Sequence, residues 1–482
     1  MIGLVLFAPA VVAVLLGGVF RRLQEWRARV LLYAVGAGAG VTLFVVASSA
    51  ESWRTVTLGP ASAIAGAAIS CSFVLAAVLD LRTDRWRVPT LVGIAGTSMV
   101  LAVSNDWLVP GLLFWTCSTL ALAAIGRDAH QRASLWATLF ASDALLYAAL
   151  VGWGLSAERW TMPGTLEGWM FYLALAAIVL RSGVVPYFGV WRMLDSQAVA
   201  AIPIVVGGAF ALGERFVFGS APLEAAALIA TALVVALWGT IVRNTPFAVM
   251  GTWPIALLLG AALASRSAAT AASLGAVIAV SLFALWPQAS SAAPARGIVL
   301  AFVPPGVGFW AVLAAATYSF GRIIEAPDVL EETSWVVVSA LLPFAVATAV
   351  SVGARVARAR GDVSLKPAVV ASWGLLAVSF VAGLFPEAIL DLDEAAVPDP
   401  SRTGLLFGAA LVLGAAGGWF ARKRTWAGRT PHTGAPRNFR HRGPTLGPRS
   451  LLALDWTALT LGIGTVAAAA WITLEGLRSG FL

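Results

Sequence analysis

Apolar runs of roughly 18 to 25 residues recur from one end of the chain to the other, each long enough to cross ~30 Å of hydrocarbon at a helical rise of ~1.5 Å per residue. Roughly sixteen such runs can be placed, centred near residues 11, 38, 72, 96, 117, 145, 178, 206, 232, 255, 277, 310, 345, 378, 411 and 463. They are apolar all round. A membrane β-barrel would instead alternate apolar and polar residues with period two, so the pattern predicts helices and excludes a barrel. The expected fold class is an all-α polytopic membrane protein of about 14–16 transmembrane helices. No soluble domain of any size interrupts the spans, so residues 1–482 are expected to form a single transmembrane domain, ending in a last helix over about residues 451–475.

One stretch breaks the monotony. Ile178 to Gln197 reads IVLRSGVVPYFGVWRMLDSQ, with Arg181 at the inner end of an apolar run that starts near Trp169 and Pro186 five residues later. Proline removes a backbone donor and clashes with the preceding turn, so a helix carrying it at membrane depth must rest against protein or water. A broken helix beside a buried cation commonly lines an ion or substrate path. The alternative is an Arg181 that ends the span and snorkels to the interface. A second proline pair, Pro304 and Pro305, falls in the twelfth run, while Pro203, Pro246 and Pro254 lie in the eighth and tenth. Two interrupted helices five spans apart fit two structurally related halves.

Composition agrees with the pattern: 59% of residues are hydrophobic and 12% charged, and the mean hydropathy is +0.86. The net charge of +8 is informative through its placement. Basic clusters (residues 21–29, 82–87, 127–132, 355–360 and 422–449) and acidic ones (325–332 and 387–399) alternate sides when sixteen spans are counted. By the positive-inside rule the basic loops are then cytoplasmic and both termini outside, which in a bacterial setting means the inner (cytoplasmic) membrane. The first run begins at Ile2 with no basic region before it, so no cleavable signal is expected. The only long loop, residues 422–450, carries eight Lys or Arg, His432 and His441, and no acid. It suits anionic lipid headgroups, or a soluble cytoplasmic subunit with an acidic surface. No basic stripe lies on a soluble domain, which argues against nucleic acid. Cys71 and Cys117 both lie in apolar runs and read as packing residues. No Gly-rich phosphate loop and no His/Cys ligand spacing is present, so neither a cofactor nor a metal is expected. Tryptophans near span ends, such as Trp53, Trp107 and Trp160, read as an interfacial belt.

Four stretches together resemble the antiporter-like membrane subunits of respiratory complex I, a family shared with Mrp-type cation/proton antiporters, membrane-bound hydrogenases and inorganic-carbon accumulating complexes. They are MVLAVSNDWLVPGLLFWTCSTLALAAIG (Met99–Gly126), HQRASLWATLFASDALLYAAL with Ser142 and Asp143, LRSGVVPYFGVW with Arg181, Ser182, Pro186 and Trp191, and LAFVPPGVGFW (Leu300–Trp310). The resemblance covers about residues 90–390. It implies an antiporter-like bundle with helices broken near Pro186 and Pro304–Pro305, embedded among other membrane subunits. It implies no enzymatic activity of the chain itself, any redox chemistry belonging to an assembly resembling a proton-translocating oxidoreductase.

The departures bear on mechanism. The resemblance implies a polar axis of a glutamate on the fifth helix and lysines on the seventh and twelfth, with lysine or histidine on the eighth. Here Thr116 stands at the glutamate position, Arg181 at the seventh-helix lysine, and Val312 at or next to the twelfth-helix lysine. Phe188 replaces a histidine, and the eighth run, AIPIVVGGAFALG, holds no ionisable residue. The chain has two lysines, Lys366 and Lys423. Burial can pull a lysine from ~10.4 toward neutrality, whereas a guanidinium stays charged. Arg181 therefore holds charge without passing protons, and Thr116 joins a water chain without storing one. Asp143 remains, with Arg181 on the next helix as its natural partner. Such a pair either fixes helix register or takes part in ion movement with Thr116, Ser142 and Ser182. The reading is a divergent subunit of an H⁺- or Na⁺-translocating complex with an impaired or lost proton wire; the alternatives are a purely structural anchor and a stand-alone solute transporter.

Overall fold

A computed structural model describes residues 2–17, 26–48, 52–53, 55–80, 87–125, 129–182, 197–216, 266–285, 306–308, 310, 329 and 366–385. Among them lie the helices α1 (Ile2–Gly17), α2 (Trp26–Ser48), α3 (Pro60–Asp80), α4 (Arg87–Ser104), α5 (Leu108–Ile125), α6 (Ala129–Ala157), α7 (Gly168–Arg181), α8 (Ile202–Phe216), α9 (Arg266–Leu285) and α10 (Lys366–Leu384). Among the described residues, six segments are long and apolar enough to cross a membrane: Arg29–Ala47, Pro60–Val78, Leu108–Ile125, Leu135–Ala157, Val199–Phe216 and Pro367–Leu384. The chain is a multi-pass, all-α membrane protein. Pro186, Pro246, Pro254, Pro304, Pro305, Phe188, Val312 and the loop 422–450 lie outside the described residues.

Proline placement explains several helix starts. Pro60, Pro89, Pro110, Pro203 and Pro367 each fall within the first turn of a helix. There the missing N–H would have had no intrahelical partner, and the fixed φ suits helix entry. Pro203 therefore starts the eighth helix, after a 3-10 turn over Gln197–Ala201, rather than interrupting it. Cys71 is buried but Cys117 is exposed on the outer side of α5, so a packing role within the chain fits Cys71 alone.

The chain divides into two compact units, Met1–Val217 with Pro436–Leu482, and Phe218–Ala435. In the first, sequence neighbours pack pairwise, α2 on α3, α4 on α5 and α6 on α7, while α1 packs on α4 and α3 on α8. Helix α8 is the centre: every residue from Ile202 to Phe216 is buried except Arg215, which is partly so. Helix α2 lies outside, with Leu31 66% and Val45 58% exposed, as a lipid-facing surface requires.

One end of this unit is stitched by backbone. A two-residue hairpin pairs Ser52–Trp53 with Val56–Thr57. The turn between α4 and α5 bonds to it through the Asp106 N–H and the Thr55 carbonyl at 2.9 Å. The same turn reaches the α6–α7 connection through Leu108 N–H to Trp160 O and Met162 N–H to Asp106 O, both 2.8 Å. Asn105 Oδ1 accepts the Trp107 N–H at 2.9 Å, a local bond that halts α4. The run from Met99 to Gly126 is thus the end of one helix, a turn and a second helix. Asp106 is partly exposed and accepts a bond from the Thr57 hydroxyl. Helix α6 closes with Glu158 at φ 52° and an Arg159 N–H to Gly154 O bond of 3.2 Å, which caps its last turn.

In the second unit α9 packs on α10. The segment following Pro304–Pro305 is tied to α10 by the Val307 N–H on Ser379 Oγ at 3.3 Å and the Trp310 indole N–H on Gly383 O at 2.7 Å.

Candidate functional site

Helix α6, at 29 residues, rises about 43 Å, and Asp143 is at its midpoint. Helix α7 is only 14 residues, about 21 Å, too short to cross hydrocarbon alone, and its last residue is Arg181. Ser182 caps it: its N–H bonds Ile178 O at 3.1 Å and its hydroxyl donates to Val179 O at 2.6 Å. Arg181 thus ends a helix at depth, where the carbonyl end of the helix favours a cation. It is 0% exposed, which removes the snorkelling alternative.

Arg181 and Asp143, on neighbouring helices, form an ion pair, Nη1 to Oδ1 at 2.9 Å. Asp143 is 1% exposed. The same Nη1 also donates to Thr119 Oγ1 at 3.2 Å. The Trp115 indole N–H donates to Asp143 Oδ1 at 2.9 Å, so two donors converge on one oxygen. The Trp115 ring also lies beneath the guanidinium, 4.0 Å from Cζ to the ring centroid. That stacking is worth about 2 kcal/mol when desolvated, and a planar guanidinium makes it better than an ammonium can. Met99 of α4 and Gly208 of α8 close the remaining sides: a Cβ on Gly208 would lie 3.1 Å from Met99 Sδ, 3.3 Å from Arg181 Nε and 3.5 Å from Trp115 Cη2. Five helices thus meet on one neutral pair.

A hydroxyl cluster sits beside it. Thr116 Oγ1 and the Tyr147 hydroxyl both bond Leu112 O at 2.9 Å, and they also touch each other. Two protons serve three contacts, so both hydroxyls are fully engaged. Ser142 donates to Ala177 O at 2.8 Å and ties α6 to α7. Of the residues singled out in the sequence, Asp143 and Arg181 meet directly; Thr116 and Ser142 bond elsewhere, and Ser182 bonds within its own turn. Pro186, Pro304 and Pro305 are outside the described residues. Among the described residues no three His, Cys, Asp or Glu side chains converge as metal ligands.

Sequence reasoning missed Trp115, Thr119, Tyr147 and Gly208. The signal was helical spacing: Trp115 and Thr119 are four apart on α5, and Asp143 and Tyr147 four apart on α6. It also stopped the eighth run at Gly213, whereas α8 continues through Glu214 and Arg215. Arg215 Nη2 donates to Asn105 O at 3.1 Å, and Nη1 donates to Val103 O. These bonds hold the carbonyl end of α4.

No protein-family profile and no curated protein matches the sequence. Solved structures do. A chain of respiratory complex I from Thermus thermophilus is similar at TM-score 0.58 and 16% identity, covering 80% of this chain and 98% of that one. The chain has the antiporter-like fold its sequence resembles. A chain of the Mrp complex from Dietzia sp. DQ12-45-1b is similar at TM-score 0.65 and 13% identity, with 99% of this chain and 62% of that one covered. A chain of an archaeal membrane-bound sulfane sulfur reductase, a respiratory membrane complex, follows at TM-score 0.59 and 13% identity, covering 98% and 94%.

Proposed function

We propose that the chain is a divergent antiporter-like membrane subunit of a multi-subunit, energy-coupled complex that moves H⁺ or Na⁺, and that its own proton wire is impaired or lost. The observation that carries the second half is the Asp143–Arg181–Trp115 cluster, each member no more than 2% exposed. A guanidinium keeps its proton at any working pH, so it offers no station for proton exchange. The Asp143 carboxylate is tied to that guanidinium and to an indole N–H. At the neighbouring position Thr116 spends its hydroxyl on Leu112 O and Tyr147. The similar chains of complex I, the Mrp complex and the sulfane sulfur reductase support the general kind of assembly.

In this reading the chain does no redox chemistry. It forms one membrane domain that seals the bilayer, binds other membrane subunits, and offers its arginine-rich loops to anionic lipids or a soluble subunit on the cytoplasmic face. α4 and α6 start at one end of the bundle, with Arg87 and Arg132 near their first turns. The hairpin marks the other end, which supports basic loops inside and the N-terminus outside; the same reading puts the C-terminus outside too, in the cytoplasmic membrane.

The test is ion flux in proteoliposomes holding the assembled complex, isolated in mild detergent with whatever subunits copurify. Asp143→Asn is expected to lower the yield of complex and leave flux per assembled complex unchanged. Abolished flux with intact assembly would make Asp143 part of a working path. Should the chain purify alone and carry no ion, the translocating-complex reading falls, and a purely structural anchor replaces it.

A further inference from the structure

The guanidinium of Arg215 joins the end of α8 to a knot of three connecting segments. The turn between α4 and α5, residues 105–107, lies at the middle of that knot. On one side Asn105 bridges Val56 of the hairpin, and the Asp106 N–H bonds Thr55 O at 2.9 Å. On the other, Trp107 bridges Thr161 of the α6–α7 connection, with Leu108 N–H on Trp160 O and Met162 N–H on Asp106 O, both at 2.8 Å. Connecting segments ordinarily run loose over a protein surface. These pair like short strands, and Asn105 is 3% exposed. Arg215 enters from a fourth element: Nη2 donates to Asn105 O at 3.1 Å and Nη1 to Val103 O. The last carbonyls of a helix lack partners of their own and carry its negative end, so a forked cation suits two of them at once.

We propose that Arg215 is a latch: it fastens α8 to the α4–α5 turn, and through that turn to the hairpin and the α6–α7 connection, so that the four open only together. Each tie alone would be weak. A lone two-stranded hairpin is marginal in water, and an arginine bonded to a free turn would follow its motion. Joined, they form one cooperative unit. The consequence is functional. A carrier that works by alternating access parts its helices at each membrane face in turn. Here parting α8 from α4 means undoing the whole knot, so this end of the first unit is a fixed seal. The latch does not rest on the ion-translocating reading, because a conducting subunit and an anchor both need a sealed face; it weighs against a stand-alone solute carrier.

The experiment is hydrogen–deuterium exchange of the intact protein in mild detergent, with whatever subunits copurify, read amide by amide after peptide fragmentation. The Asp106, Leu108 and Met162 N–H groups are expected to exchange at one common rate. That rate should be at least about 100-fold slower than at the exposed Gly164 and Thr165 of the same α6–α7 connection, after correction for intrinsic rates. Arg215→Met keeps the apolar stem and removes the fork; it should speed all three amides about ten-fold or more and leave the middle of α3 unchanged. Arg215→Lys, a single-point donor, should fall between the two. Acceleration confined to Asp106 and Leu108 would make Arg215 a cap of α4 only and overturn the latch, as would no acceleration at all. Should Arg215→Met fail to fold, the native protein and Arg215→Lys decide: three unequal rates, or rates near those of Gly164 and Thr165, overturn the proposal.

Discussion

The α2–α3 contact and the α5–α6–α7 contact join helices of similar apolar composition by opposite means. At the first, glycines let backbones touch: a Cβ on Gly40 would fall 2.6 Å from Gly66 O, and one on Gly66 would fall 2.7 Å from Gly40 O. One hydroxyl, Ser70 to Ala37 O at 2.7 Å, crosses it. At the second, charge and hydroxyls do the joining, through Asp143–Arg181, Trp115, Thr119 and Ser142. In lipid no hydrophobic force draws helices together, so association rests on close packing or on polar bonds. The outer contact uses packing because it faces lipid, where an unpaired charge has nowhere to go. At the inner contact the charged side chains are buried, Arg181 0% and Asp143 1% exposed, and the contact tolerates them because the charge is matched. Shape holds the rim and chemistry holds the centre.

The sharpest way to break this contrast is to unpair the centre. Asp143→Leu or Arg181→Leu alone strands a buried charge and should cost about 3–5 kcal/mol, whereas changing both should recover most of it. The unfolding midpoint in mild detergent, followed by tryptophan emission, reads the difference. A double variant as damaged as either single one would mean that the pair is not the unit that matters.

The rim should answer to volume instead. Gly66→Ala puts a methyl against the Gly40 carbonyl at 2.7 Å and the Phe44 N at 2.9 Å. Backbone cannot swing aside, so the loss should reach about 1–3 kcal/mol in the same assay. Gly208→Ala makes the internal control. Its nearest neighbour is the flexible end of Met99 at 3.1 Å, which can yield by a few tenths of an ångström, so the loss should be smaller. Equal losses at Gly66 and Gly208 would erase the distinction between rim and centre.

The reasons for what could be read in advance are physical. Ionised groups are so rare in apolar runs that Asp143 and Arg181 stand out from composition alone, and adjacency of their helices makes them partners. The all-helical membrane fold follows as directly, from runs too uniformly apolar for strands. Trp115 was hidden because tryptophan is expected at the interfaces, and nothing in its neighbours marks it as a donor to a carboxylate. Thr119 and Tyr147 were hidden because a hydroxyl in a span can always bond its own helix. Gly208 acquires meaning only through tertiary contact, when α8 brings it against the arginine. Helix limits were blurred where a polar turn was short: Ser104–Asn105–Asp106 ends α4, but the apolar residues on both sides merge into one run.

The smallest expected effect tests the hydroxyl cluster. Tyr147→Phe keeps the ring and deletes one oxygen, leaving Thr116 to bond Leu112 O unaided. Interhelical side-chain bonds in membranes average roughly 0.6 kcal/mol, because the alternatives in a helical unfolded state also find partners. The Leu112 carbonyl keeps one donor and its own helix, so no buried acceptor is orphaned, and the loss should stay near that average. A loss as large as that from unpairing Asp143 would mean that the hydroxyls hold the ion pair in place and belong to one network with it. The two layers would then have to be treated as a single site, and the centre of the bundle would owe its hold on α5 and α6 as much to Tyr147 as to Arg181.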